Sequence, residues 1–157
     1  MSKTRAVRTC LGVAVVLGVL AGPVAGASAS RAGIRALIQS WNPKVLVSEG
    51  KVVSAVGEYK TSRNPAPVET AIGEAIGTLR GLRQGIEHQR AIRPRVKRAK
   101  DDLMDGLREV ILAYERLEAA FREKGLSPAA ADRNARRANA LVQRGQRDLR
   151  EGARLLG

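Results

Sequence analysis

The sequence predicts an all-α fold. It reads as an up-and-down bundle of about four helices, approximately 43–60, 65–92, 95–123 and 128–155, behind a short leading helix at 31–41. Three observations carry this reading. Apolar residues recur at alternating spacings of three and four through the C-terminal half, which is the period of a helix face. Prolines fall between those patterns rather than within them. Aromatic residues make up only 3% of the 157 residues (Trp41, Tyr59, Tyr114 and Phe121), too few for the strands of a sandwich or barrel. With 44% hydrophobic residues the chain can bury one core, and 28–157 is read as a single domain.

Residues 1–27 are read as a secretory signal peptide preceding the fold. Lys3, Arg5 and Arg8 form a basic start, Leu11 to Leu20 an apolar run, and Pro23 breaks that run before the small residues Ala25 to Ser30. Cleavage is expected after Ala27, with Ala29 as the second option. The uncharged stretch 9–30 is nominally long enough to span a bilayer, so an N-terminal membrane anchor is the alternative. The Gly/Pro/Ala/Ser tail suits cleavage better, and the expected location is secreted or in the cell envelope. The single cysteine, Cys10, lies in this segment, so the mature chain is expected to have no disulfides.

Asn42-Pro43 and Asn64-Pro65 are read as helix starts, each a capping residue followed by a proline. Between them, Val45, Val52, Val56 and Tyr59 fit a helix, although the valines flanking Glu49-Gly50 would also suit a hairpin. Helix is preferred because no other strand is available to pair with one. Val68, Ile72, Ala75, Leu79, Leu82 and Ile86 line one face of the next segment. Pro94 then marks either a break or a kink. Val96, Ala99, Leu103, Leu107, Val110, Tyr114, Leu117 and Phe121 make a heptad-like stripe, as do Ala131, Ala135, Ala138, Val142, Gly145, Leu149, Gly152 and Leu156. Gly125 and Ser127-Pro128 separate the two, predicting an antiparallel hairpin whose Ala/Gly side lets the backbones approach closely.

Catalytic chemistry finds no footing in these residues. His88 is the lone histidine and falls on the polar side of its helix. Met104 reads as core filling, and Asp101, Asp102 and Asp105 read as surface partners of neighbouring Lys and Arg. No nucleophile elbow, phosphate loop or dinucleotide fingerprint occurs. The protein is therefore read as no enzyme, with no metal and no cofactor. Gly73, Gly77, Gly81 and Gly85 recur every fourth residue, either a loosely held helix or a flat seam for a second backbone.

Charge is the informative feature. Lys and Arg number 28 against 15 Asp and Glu, a net +13. Within 80–100 stand Arg80, Arg83, Arg90, Arg93, Arg95, Lys97, Arg98 and Lys100, with Glu87 as the lone acid. A second run, Arg133 to Arg154, is partly offset by Asp148 and Glu151, and the acidic segment 101–125 offers further partners. Six cations from Arg90 to Lys100 repel one another unless something anionic offsets them.

The expected polyanion-binding residues are therefore Arg90, Arg93, Arg95, Lys97, Arg98 and Lys100, with Arg136, Arg144, Arg147 and Arg154 as a secondary basic face. The expected partner is an anionic envelope polymer or lipid headgroups, since guanidinium forks suit phosphate. Sequence-specific nucleic-acid reading is disfavoured, because no aromatic residue lies in the basic region to stack on bases. The alternative is a structural or interaction protein, packing its helices against a protein partner or as a homodimer.

Overall fold

The computed structural model describes residues 29–123 and 127–157. Among them it places four helices: α1 (Ala29–Ser62), α2 (Ala66–Glu87), α3 (Pro94–Glu123) and α4 (Pro128–Leu156). The signal segment 1–27, its cleavage after Ala27, and Cys10 lie outside the described residues; Ala29, the other cleavage option, opens α1. Each helix turns back on the one before it. α1 packs along α2, α2 along α3, and α3 lies closest of all to α4. The fold is the all-α bundle expected, and the stretch 44–60 is helix rather than hairpin.

The first helix departs from the reading at Pro43. The leading helix 31–41 and the helix at 43–60 are one helix of 34 residues, with Pro43 inside it. An interior proline loses a backbone bond and crowds the preceding turn, costing about 3 kcal/mol. Packing outweighs it here. Ile34, Ile38, Val45, Val52, Val56 and Tyr59 are all buried and keep one register across the proline, which itself stands on the exposed side. Restarting the helix at Asn42 would break that register.

The other boundaries follow the local signals. α1 ends at Ser62, and Arg63 follows with a φ of 57° that reverses the chain. Asn64 Oδ1 accepts from Ala66 N at 3.1 Å and opens α2. Ser127 Oγ accepts from Ala130 N at 3.4 Å and opens α4, with Pro128 in the first turn. Pro94 proves to be a break. α2 stops at Glu87 instead of running to 92, and α3 starts on Pro94. Residues 88–93 are therefore a connection.

Glycine sets the closeness of α3 and α4. A Cβ on Gly106 would stand 2.8 Å from Gly145 O, and one on Gly152 would stand 2.9 Å from Ala99 O. Large side chains fill what the glycines leave, with Leu149 over Gly106, Val110 over Gly145 and Leu103 over Gly152. The α2 row behaves differently. Gly81 and Gly85 seat Trp41 and Leu37 of α1, whereas Gly73 and Gly77 face open space. Within the chain it is half a side-chain seat and half bare surface.

The core runs the length of the bundle. Tyr59 and Phe121 meet edge-to-face at 5.0 Å between ring centres. Ion pairs straddle the helices outside it: Lys51–Glu74 at 2.6 Å, Arg80–Glu115 at 2.9 Å and Arg122–Glu69 at 3.4 Å. Glu49 is buried on the inner side of α1, and Tyr114 is 2% exposed. Burial drives the Tyr114 hydroxyl well above its usual range, and the charge of Glu49 pushes the same way, so the phenol stays protonated.

Candidate polyanion-binding site

Four chain segments meet at one end of the bundle: the start of α1, the end of α2, the start of α3 and the end of α4. Two hydrogen bonds fix the meeting. Arg31 Nε of α1 donates to Leu156 O, and Arg95 Nε of α3 donates to Leu155 O at 3.1 Å. Both satisfy carbonyls that the last turn of α4 cannot pair internally. Lys100 does the same for α2, its Nζ donating to Glu87 O at 2.5 Å and Gln89 O at 2.8 Å. A cation against the negative end of a helix is favourable on both counts, charge and hydrogen bond.

The six residues of the expected site therefore divide. Lys100 and Arg95 are committed to helix ends, Lys100 half-buried and Arg95 still exposed. Arg98 is exposed and its charge acts on Asp102 and Glu151. Arg90, Arg93 and Lys97 are exposed, and among the described residues none of the three makes an ion pair. Arg90 and Arg93 lie in the connection rather than on a helix. Arg93 holds the N-cap position of α3, its carbonyl accepting from Lys97 N at 2.9 Å.

The secondary basic face is exposed along α4 but largely neutralised. Arg136 pairs with Asp132 at 2.8 Å, Arg147 with Asp148 at 3.7 Å and Arg154 with Glu151 at 2.6 Å. These partners lie on α4 itself; the pairing expected with the acidic helix α3 is not what offsets them. Arg144 is exposed, with no ion pair among the described residues. The hydrogen bond from Arg154 holds the Glu151 carboxyl below its ordinary value.

The remaining candidates take ordinary places. His88 is exposed and ends α2, its Nδ1 2.7 Å from Gln84 O. Met104 is half-buried against the core. Asp105 pairs with Arg108 at 3.3 Å and Asp101 is exposed. Asp102 differs from these two. It is half-buried where α3 meets α4, and its Oδ2 has no hydrogen-bond partner. Burial raises its pKa; Arg98 works against the rise, while Glu151, Asp148 and Asp101 add to it. Among the described residues no group of three or more His, Cys, Asp or Glu side chains stands together to hold a metal ion. None of the described helices is long and apolar enough to cross a membrane.

Sequence reasoning missed Arg31, which joins this pole from a distant part of the chain and has no local signal. It also passed over Ile92, an exposed isoleucine between Arg90 and Arg93 whose setting was visible as Arg-Ala-Ile-Arg-Pro-Arg. No protein-family profile, curated protein or solved structure matches this chain.

Proposed function

We propose that the protein is an exported, non-enzymatic helical bundle that binds an anionic component of the cell envelope electrostatically through this pole. One observation supports the reading above the others: Arg90, Arg93 and Lys97 are exposed without ion pairs within eight residues of chain, while Arg136, Arg147 and Arg154 of the secondary face have acidic partners. Unpaired guanidinium groups gathered at one chain reversal raise the local potential and suit phosphate geometry. The order of basic, apolar and small-residue regions in 1–27 supports export.

Replacing Arg90, Arg93 and Lys97 with Gln leaves the helix-end bonds of Arg95 and Lys100 in place. Each cation near an anionic surface contributes about 1 kcal/mol at low salt, so the triple variant is expected to bind roughly 100-fold more weakly. Replacing Arg136, Arg144 and Arg147 with Gln should cost much less. Binding of both variants equal to the parent at low salt would reduce the cluster to a solvated face.

A second reading rests on the outer side of α1. Leu46, Val53 and the neighbouring Val47 are exposed, and Gly50 and Gly57 have nothing within 4 Å. Leu46, Gly50, Val53 and Gly57 share one face. Set antiparallel against a second copy, that face opposes Leu46 to Gly57 and Val53 to Gly50, and brings Lys44 near Glu58. It is the large-on-glycine fit that already joins α3 to α4. Light scattering of the parent beside Val53→Glu checks it, and a parent that stays monomeric at high concentration ends it.

A further inference from the structure

The basic pole carries one apolar side chain that the fold does not use. Ile92 is 84% exposed, the most exposed of the large hydrophobic residues among those described. It is not a stray residue on a loose loop. Ala91 beside it is packed against the core, and Lys100 ties the connection down by donating to Glu87 O and Gln89 O. Holding Ala91 inward while the chain reverses leaves Ile92 turned outward, with Arg90 and Arg93 on either side and Pro94 exposed next to it.

We infer that this pole docks on the surface of an anionic lipid bilayer, with Ile92 entering the acyl region while Arg90, Arg93 and Lys97 meet the headgroup phosphates. The inference rests on the proposed function and names its partner. A dissolved wall polymer or polyphosphate offers phosphate but no apolar phase, so it would leave Ile92 in water. A bilayer offers both within one side chain's depth.

Burying one isoleucine against leaving it in water corresponds to roughly a 10- to 100-fold change in affinity. The experiment measures sedimentation of the full protein with vesicles of mixed phosphatidylglycerol and phosphatidylcholine, with pure phosphatidylcholine vesicles, and its affinity for soluble polyphosphate. Ile92→Ser is expected to weaken binding to the mixed vesicles by about that factor and to leave polyphosphate affinity and the helical circular dichroism unchanged. Ile92→Leu should bind as the parent does. The Arg90, Arg93, Lys97 triple variant should lose both ligands. If Ile92→Ser matches the parent on mixed vesicles while the triple variant fails on both, the lipid inference is overturned and electrostatic binding stands. Equal weakening by Ile92→Ser on vesicles and on polyphosphate also overturns it, as does a loss of self-association without any loss on vesicles. If neither variant changes anything, the proposed function itself falls.

Discussion

Adding one methyl group at two glycines should change stability in opposite directions. At Gly145 a Cβ would stand 2.8 Å from Gly106 O and 2.8 Å from Val110 Cγ2. The first of these is backbone and cannot swing aside, so α3 and α4 must separate by several tenths of an ångström along a close-packed seam. Overpacking of this kind costs about 1–3 kcal/mol. At Gly77, on the exposed side of α2, a Cβ meets nothing within 4 Å. Alanine is the better helix former at both sites by roughly 1 kcal/mol, with part of that gain arising in the unfolded chain.

The helix-forming gain is common to both variants and cancels in their difference, leaving the clash. Gly77→Ala is expected to be more stable than the parent by about 0.5–1 kcal/mol, and Gly145→Ala to lie below Gly77→Ala by about 1–3 kcal/mol. Urea unfolding followed by circular dichroism at the helix band reads this directly, as a shift in midpoint at constant slope. A Gly145→Ala protein as stable as Gly77→Ala would mean that the two backbones do not touch there. The account of why α4 is lined with Ala and Gly would then be wrong.

Two further outcomes are expected. Asp102 holds its proton more tightly when folded than when unfolded, because burial raises its pKa above the ordinary 3.8, so its ionised form costs stability as pH rises past that value. Asp102→Asn should therefore raise Tm at neutral pH, by about 2–4 °C for each kcal/mol released, and the gain should vanish below the unfolded carboxyl's range; an unchanged difference at all pH values would refute it. Arg93→Asp places an acceptor at the N-cap of α3 and an acid at its positive end, which should stabilise the fold by about 1 kcal/mol while weakening binding to anionic vesicles. A destabilised variant in thermal melts would show that Arg93 holds the fold, not a ligand.

The parts of the fold that were legible in the sequence are those whose cause is local. The heptads of α3 and α4 and the Ser127-Pro128 start depend on residues within a turn of one another, and the structure has them as read except that Asn134 is buried in place of Ala135. Pro43 was misleading for the opposite reason. Asn42-Pro43 is a sound local start signal, overruled by the buried register from Ile38 to Val45 to Val52, which is settled against α2 and α3. The glycine row of α2 could not be resolved without knowing that Trp41 and Leu37 arrive at Gly81 and Gly85. The candidate site was legible as charge density and no further. That Lys100 and Arg95 belong to helix ends depends on carbonyls thirteen and sixty residues away. Ile92 is hidden in the sequence because the apolar pattern of 65–92 continues to it, whereas the helix stops at Glu87.

The start of α3 is unlike those of α2 and α4. α2 opens with Asn64 accepting from Ala66 N and carries Glu69 in its first turn, and α4 opens with the Ser127 cap. α3 has Arg93 at the cap, Arg95 and Lys97 close behind, and no acid in its first turn. Each cation beside the positive end of a helix is unfavourable by about 0.3–1 kcal/mol. The bundle recovers part of this because its antiparallel neighbours bring the negative ends of α2 and α4 to the same pole, where Lys100, Arg95 and Arg31 satisfy their carbonyls. Arg90, Arg93 and Lys97 are left over, and nothing in the packing of the described residues calls for them. An anion bound there would supply the missing partner, and by linkage it would stabilise the folded chain as well as hold it to a surface. The local frustration of α3 and the proposed affinity of the pole are thus one electrostatic imbalance, seen first without its ligand and then with it.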